Sequence, residues 1–353
     1  MKNEKLLYAI GNINDELIEN AVKNKPIIYK FRRAFAVACV IVIFLCVATF
    51  LLTQEKAELP EIEVTGEFGA MGCEVYMAKD ISELVNANPW TEKTDIKALP
   101  VYKNVYTYDE NYEIPKSNEA YMKKLLNEIK NKTENLEGVK IEGFSPDSVN
   151  IEFEPAMALP QKYNFDFYSS YEEMSTVAEY LKNEYGDFIN MSKPTVNIYG
   201  GDYDIYGRRL LNLSFYESKG NIVERIINYN FNSVEFHSDD YKKLCRIRVM
   251  KTDLSKMVGN YPIITLKEAQ KLLLNGNYIT TVPYEISNNK KIEKAELIYR
   301  NFPTEKYFIP YYKFYIEVTN QLKNETKSYG AYYVPAVEKK YISNLPIWDG
   351  SFN

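Results

Sequence analysis

A single histidine, His237, occurs in 353 residues, so a Ser–His–Asp triad would have to use that one side chain. Also missing are a Gly-x-Ser-x-Gly elbow, a His-Glu-x-x-His pair, a Gly-x-Gly-x-x-Gly turn and a phosphate-binding P-loop. The four cysteines contain no Cys-x-x-Cys pair, so neither a redox motif nor a zinc site is indicated. Basic charge is not in excess: 43 Lys/Arg stand against 48 Asp/Glu, a net charge of −5. That balance argues against a nucleic-acid partner, which needs a basic stripe against phosphate. No cofactor is expected. Asp239–Asp240, beside His237, reads as a solvated turn rather than a metal or acid–base cluster. "GGDYDIYG", Gly200 to Gly207, shares aspartates and glycines with a calcium loop but lacks the remaining ligands and the distal Glu, and reads as a hairpin turn. Carboxylate-only catalysis, as in glycoside hydrolysis, survives these absences because its two acids can lie far apart in the chain.

What is present begins with an apolar run from Ala34 to Leu52, nineteen residues without a charge, a proline or a glycine. At about 1.5 Å of rise per residue it spans close to the ~30 Å hydrocarbon core. A signal peptide has a shorter apolar region, of roughly 7–15 residues, and a small-residue cleavage site. Leu45 before Cys46 fits a lipoprotein site poorly. The run reads as an uncleaved, single transmembrane helix. Lys25, Lys30, Arg32 and Arg33 precede it, whereas Lys56 is the one basic residue among Gln54, Glu55, Lys56 and Glu58 beyond it. By the positive-inside rule residues 1–33 are cytoplasmic and residues 53–353 extracellular. Of the basic and acidic totals, seven and four fall in the first 33 residues, leaving 36 and 44 for the rest, about −8. The expected organisation is a cytoplasmic amphipathic segment (1–33), a membrane helix (34–52), a polar linker (53–65) and two exterior regions (66–259 and 260–353).

Cys39 and Cys46 lie in the apolar run and read as apolar filling. Cys73 and Cys245 are the only exterior pair. Either they form one long-range disulfide in an oxidising compartment or they remain two free thiols.

In the cytoplasmic segment Leu6, Leu7 and Ile10 share a helical face, and Gly11 is a stop signal. Asn14 offers an N-cap with Asp15 and Glu16 in the first turn, and Leu17, Ile18 and Ala21 continue an apolar stripe. Two short amphipathic helices of this length are marginal alone in water. They are either a membrane-hugging leader or a docking peptide that folds on a cytoplasmic partner, with Leu6, Ile10, Ile13, Leu17 and Ile18 as the docking residues. The order of "LLYAIGNINDELIENA", a basic cluster, one anchor and a large exterior part is similar to single-pass regulatory proteins of clostridia, including membrane-bound anti-sigma factors. The resemblance covers about fifty residues, lacks the His/Cys zinc signature of many anti-sigma domains, and implies a sigma factor or a kinase as partner.

Outside the membrane, helical and strand patterns alternate. Ser117 is placed to cap a helix carrying Met122, Leu125, Leu126 and Ile129, and "VKIEGF" and "VNIEFE" alternate as strands. Ser170 with Glu173 makes a capping box ahead of Met174, Val177, Ala178 and Leu181. The stretch 195–231 reads as strands with turns at Gly200–Gly201 and near Gly220. Thr265 with Glu268 opens a second boxed helix from about Leu266 to Asn275, whose Ala269, Leu272 and Leu273 are expected to face antiparallel strands from "ELIYRN", "FIPYYKFYIEV" and "AYYVPAV". The expected class is α+β, with repeated units of a helix and an antiparallel sheet. "PIITLKEAQKLLLNGNY" and the helix-then-strands order resemble PepSY, cystatin-like and YycH/YycI-type exterior domains of bacterial regulators.

Tyrosine is abundant, at 31 copies. In "KYFIPYYKFYIEV" one face carries Phe308, Pro310, Tyr312, Phe314, Ile316 and Val318, and the wetter one Tyr307, Ile309, Tyr311, Lys313, Tyr315 and Glu317. Such tyrosines either build sheet faces or present Tyr307, Tyr311 and Tyr315 as a platform for a glycan or an extended peptide. Three functions follow from the sequence. The leading one is a non-enzymatic, membrane-anchored regulator or sensor with an exterior protein or glycan ligand. The others are a cell-surface binding module without a signalling role, and a carboxylate-dependent wall hydrolase.

Overall fold

Helices and antiparallel strands alternate along the chain, an α+β arrangement. The computed structural model describes residues 58–66, 73–106, 118–286, 291–318 and 325–350. The segment holding Leu6, Ile10, Ile13, Leu17 and Ile18, the apolar run 34–52 and Ser117 lie outside the described residues. Among the described residues no helix is long and apolar enough to cross a membrane.

Six strands form the larger sheet: β3 (Val139–Ser145), β4 (Ser148–Met157), β5 (Pro194–Tyr203), β6 (Arg209–Glu217), β7 (Asn232–Ser238) and β8 (Leu244–Lys251). Their order is β3-β4-β8-β7-β6-β5, with every neighbour antiparallel. Period-two alternation sends Val149, Ile151, Phe153, Leu213, Phe215, Val234, Phe236 and Ile247 into one core. Helix α1 (Glu119–Lys132) brings Leu125 and Ile129 to that core, and α2 (Tyr171–Glu184) brings Met174, Val177, Ala178 and Leu181. The Ser170–Glu173 capping box opens α2 as the sequence indicates. A single turn, α3 (Gly186–Ile189), ends at Asn190, whose φ of 47° is the left-handed stop that leads into β5.

Two readings of the stretch 195–231 change. Gly200 and Gly201 lie inside β5, at a register shift, and the turn falls later, at Asp204–Arg208. A Cβ on Gly201 would stand 1.8 Å from the Glu83 carbonyl oxygen, so glycine here serves close backbone approach. The segment after Gly220 is not a strand but helix α4 (Ile222–Phe231), opened by an Asn221–Glu224 capping box.

The remaining strands form two smaller sheets. One has the order β1-β13-β12-β10, with β1 Val75–Ala78, β10 Ile292–Tyr299, β12 Pro310–Glu317 and β13 Lys327–Pro335. The other has the order β11-β2-β9, with β2 Ala98–Lys103, β9 Met257–Pro262 and β11 Tyr307–Phe308. Strands β1 and β2 therefore share sheets with strands beyond Met257. Helix α5 (Leu266–Leu274) begins at the Thr265–Glu268 box, and Gly276 adopts φ +81° just past its end. Ala269 and Leu273 are wholly buried with Phe314, Tyr332 and Val334, whereas Leu272 sits at the margin of that core, half-buried. Helix α4 joins the same core through Ile226 and Phe231.

Candidate functional site

The tyrosines of β12 are not a platform. Every residue from Pro310 to Ile316 is buried, because β12 is central and both faces of its sheet are covered. Tyr311 is 0% exposed and Tyr315 6%, while Tyr307, in β11, is half-buried. What the wetter face holds is an internal charge network. The Lys313 ammonium lies 2.9 Å from the Tyr76 hydroxyl and 3.5 Å from Glu74, and 4.9, 5.1 and 5.4 Å from the ring centres of Tyr76, Tyr315 and Tyr333. Beside it Glu296 meets Lys294 at 2.7 Å and accepts from Asn86 and Tyr315. Burial pushes the Glu296 carboxyl up, but Lys294 and Lys313 outweigh it and hold the group below its ordinary range. A second pair, Arg300–Glu305 at 2.8 Å, is more enclosed, each side chain 1% exposed, and there burial outweighs Arg300 and pushes the Glu305 carboxyl up to about 8. Removing one member of a buried charge pair costs more than the intact pair contributes, because the other charge is left buried and unpaired.

Cys73, ahead of β1, and Cys245, in β8, are both free thiols, exposed and half-buried respectively. Burial pushes both thiols up, away from thiolate reactivity. His237 projects from β7 with its Nε2 3.4 Å from Glu235, which also accepts from Tyr199 and faces Arg248 at 3.7 Å. Among the described residues no group of three or more His, Cys, Asp or Glu side chains is placed to hold a metal ion.

A surface feature emerges at one end of the six-stranded sheet. There the loop between β4 and α2 crosses the β5–β6 and β7–β8 hairpins. Leu211 N–H donates to Phe167 O at 2.8 Å. Lys242 Nζ donates to Asn164 Oδ1 at 2.6 Å and lies 3.3 Å from Asp166. The Arg208 guanidinium lies 4.1 Å from the Tyr168 ring centre and 5.1 Å from that of Tyr206, held by Asp204 at 2.7 Å. Twelve large apolar side chains are exposed among the described residues, and seven lie here: Met157, Phe167, Tyr168, Tyr171, Ile205, Tyr206 and Tyr241. More than half of the exposed large apolar side chains among the described residues thus gather at one end of the sheet.

The two hairpins are built alike. Asp204 Oδ1 accepts from the amides of Tyr206 and Arg208, and Asp239 Oδ1 from those of Tyr241 and Lys243. Gly207 and Lys242 follow each tyrosine at φ 76° and 62°. Each turn thus pushes one tyrosine outward, Tyr206 at 75% and Tyr241 at 82% exposure. The two turns share the pattern Asp-x-Tyr-x-Arg/Lys, at 204–208 and 239–243, which marks each turn but not their proximity. Asp239–Asp240 is a turn, as expected, and it is part of the rim.

Beside the rim, a shallow groove of about 470 Å³ runs along the outer side of α2. Its floor is Tyr163 and Tyr180, with ring centres 4.5 Å apart, and its walls carry Glu172, Glu179 and Asn183. Aromatic faces flanked by carboxylate and amide acceptors suit a polyhydroxylated or peptidic ligand. No model of a known protein family matches the chain, and no curated protein matches it either.

Proposed function

We propose that residues 59–353 are the extracellular binding unit of a single-pass, membrane-anchored regulator or sensor, and that it acts by binding rather than by catalysis. The apolar run 34–52 supplies the anchor, and the basic cluster before it keeps residues 1–33 in the cytoplasm, where their apolar stripe engages a protein partner. The observation that carries the binding reading is the rim: seven exposed apolar side chains, five on three loops that contact one another and two, Met157 and Tyr171, at the adjoining ends of β4 and α2. The α2 groove supports a second reading, a cell-surface module that takes a glycan or an extended peptide without signalling. A hydrolase reading has only Glu172 and Glu179 in the groove wall behind it.

The test uses intact cells making the full chain. A membrane-impermeant maleimide should label exposed Cys73, and a Cys73→Ser chain should show the background. A chain carrying Tyr206→Ser and Tyr241→Ser should be labelled normally yet fail to reverse the effect of deleting the gene. Labelling of Cys73 only after lysis would overturn the topology. Full restoration by the double variant would overturn the rim as the binding surface.

A further inference from the structure

The two edges of the six-stranded sheet differ. At β5 the edge is covered: Val85 and Gly200 exchange two backbone hydrogen bonds, of 2.9 and 3.2 Å. At β3, among the described residues, no strand lies beyond. Two bonds fix which backbone groups of β3 point outward. Glu154 N–H donates to Gly138 O at 2.7 Å, one step before the pair Val139–Phe153. On the far side of β4, Lys251 N–H donates to Asp147 O at 2.8 Å. Even-numbered residues of β4 therefore bond to β3, and odd-numbered ones to β8. Within β3, Lys140 and Glu142 spend their amides and carbonyls on β4, and Val139, Ile141 and Gly143 turn theirs outward. The side chains of Val139 and Ile141 pack on the core yet stay half-buried, because nothing flanks them on the open side.

Such an edge is a template for another strand, and charge selects which one. The run Val139-Lys140-Ile141-Glu142-Gly143 is charge-complementary to itself when turned antiparallel about Ile141. That register sets Lys140 opposite Glu142 of the second copy, twice. Turning it about Lys140 or about Glu142 would set two ammonium groups or two carboxylates face to face, which is unfavourable. The register about Ile141 also satisfies the backbone, since Ile141 meets Ile141, and Val139 meets Gly143, through the groups that point outward. Lys140 and Glu142 then fall at non-hydrogen-bonded pairs, where side chains approach most closely. Existing contacts are kept. Within one chain Lys140 Nζ lies 2.8 Å from Glu142, and the two face Glu152 and Asn150 on β4. The second copy brings its charges from the open side, and Glu142 has no cation opposite it on β4 to compete. The four side chains alternate in sign around the two-fold axis.

We propose that β3 pairs antiparallel with β3 of a second copy of this chain, centred on Ile141, and joins the two six-stranded sheets into one. Five residues a side are far fewer than the roughly 20–30 of a standard interface, so the dimer forms only at high local concentration. The proposal rests on the sheet edge alone and is independent of the rim and of the membrane topology.

The experiment uses full-length chains with the four native cysteines replaced by alanine. One carries Lys140→Cys and the other Glu142→Cys; they are made together and oxidised with copper–phenanthroline in lysed cells. A disulfide-linked dimer should form when both chains are present, because facing non-hydrogen-bonded residues lie about 4.5 Å apart at Cα, within disulfide reach. Either chain alone should crosslink far more slowly, since its two cysteines lie on the diagonal, about 7–8 Å apart. Adding Glu142→Lys to the first chain turns the remaining Glu142–Lys140 contact into a repulsion and should lower the initial rate roughly two- to thirtyfold. Adding Lys140→Glu to the second chain as well reverses that pair and should restore the rate, with far-ultraviolet circular dichroism unchanged throughout. Equal rates for the mixture and for either chain alone would overturn the register. The absence of a dimer in the mixture, or a disulfide to a different protein in its place, would overturn the second copy as the occupant. A rate indifferent to the reversed charge, with the fold intact, would overturn the selection by charge.

Discussion

The Lys313 ammonium donates to the Tyr76 hydroxyl across 2.9 Å, joining two strands that are not neighbours. Strand β13 lies between β12 and β1, so Lys313 reaches across it, over the ring of Tyr333. Tyr333 and Tyr76 both donate to Glu74, which leads into β1. A four-residue edge strand is thus held by side chains as well as by its ladder. Lys313→Met should lower stability by roughly 3 kcal/mol, the scale for breaking a buried pair. Backbone amides of Val75–Ala78 should then exchange with solvent faster than those of β10. Unchanged exchange in β1 would sever the link between this network and the edge strand.

Glu296 gives the network an acid limit. Its carboxyl is held below the ordinary value near 4.5, so the folded chain binds the proton less tightly than the unfolded chain does. The stability this contributes is complete above pH 4.5 and is lost as pH falls through the depressed value. Glu296→Gln should be less stable at neutral pH and should lose less between pH values of about 5 and 3. Parallel acid profiles for the two proteins, by chemical denaturation, would contradict this.

Leu273 and Leu272 separate core from margin on α5. Leu273 is 0% exposed among Ala269, Phe314 and Val334, so Leu273→Ala should cost roughly 2–5 kcal/mol. Leu272→Ala, at the margin, should cost visibly less. Equal losses in urea midpoints would show that the margin is as tightly packed as the centre.

Asn221→Ala tests the cap that opens α4. The side chain accepts from Glu224 N–H at 3.0 Å, while Glu224 accepts from Asn221 N–H at 2.7 Å. Its loss should cost about 1 kcal/mol. Asn221→Asp, which keeps the acceptor, should restore most of it, and failure to do so would point to a role beyond capping.

The helices opened by Ser170 and Thr265 were legible because each has a residue-type signature with one physical meaning. The third box, Asn221 with Glu224, has the same logic, but its isoleucine-rich helix lies among β-prone runs and reads as strand. The two faces of β12 were legible from alternation, and their burial was not, because periodicity separates faces without saying what covers them. The rim was hidden for a different reason. Phe167, Tyr206 and Tyr241 are far apart in sequence, and only strand order brings their loops together.

That convergence makes the final prediction sharp. In both hairpins the turn is held by an aspartate carboxylate on two backbone amides, not by the tyrosine that the turn displays. Removing the rings should leave the turns standing. Tyr206→Ser and Tyr241→Ser, at 75% and 82% exposure, should each change stability by less than about 1 kcal/mol, Tyr206 losing only an exposed contact with Arg208. Asp204→Ala and Asp239→Ala should cost more, because each frees two amides that the carboxylate satisfies. If the rim is a binding surface, both kinds of substitution weaken the same interaction, the tyrosine pair with the fold intact and the aspartate pair with the loops loosened. Thermal unfolding of the four variants, beside their ability to replace the wild-type gene, separates the two effects. A tyrosine pair that lowers stability as much as the aspartate pair would make the rings part of the fold, and the rim would lose its claim to be a site.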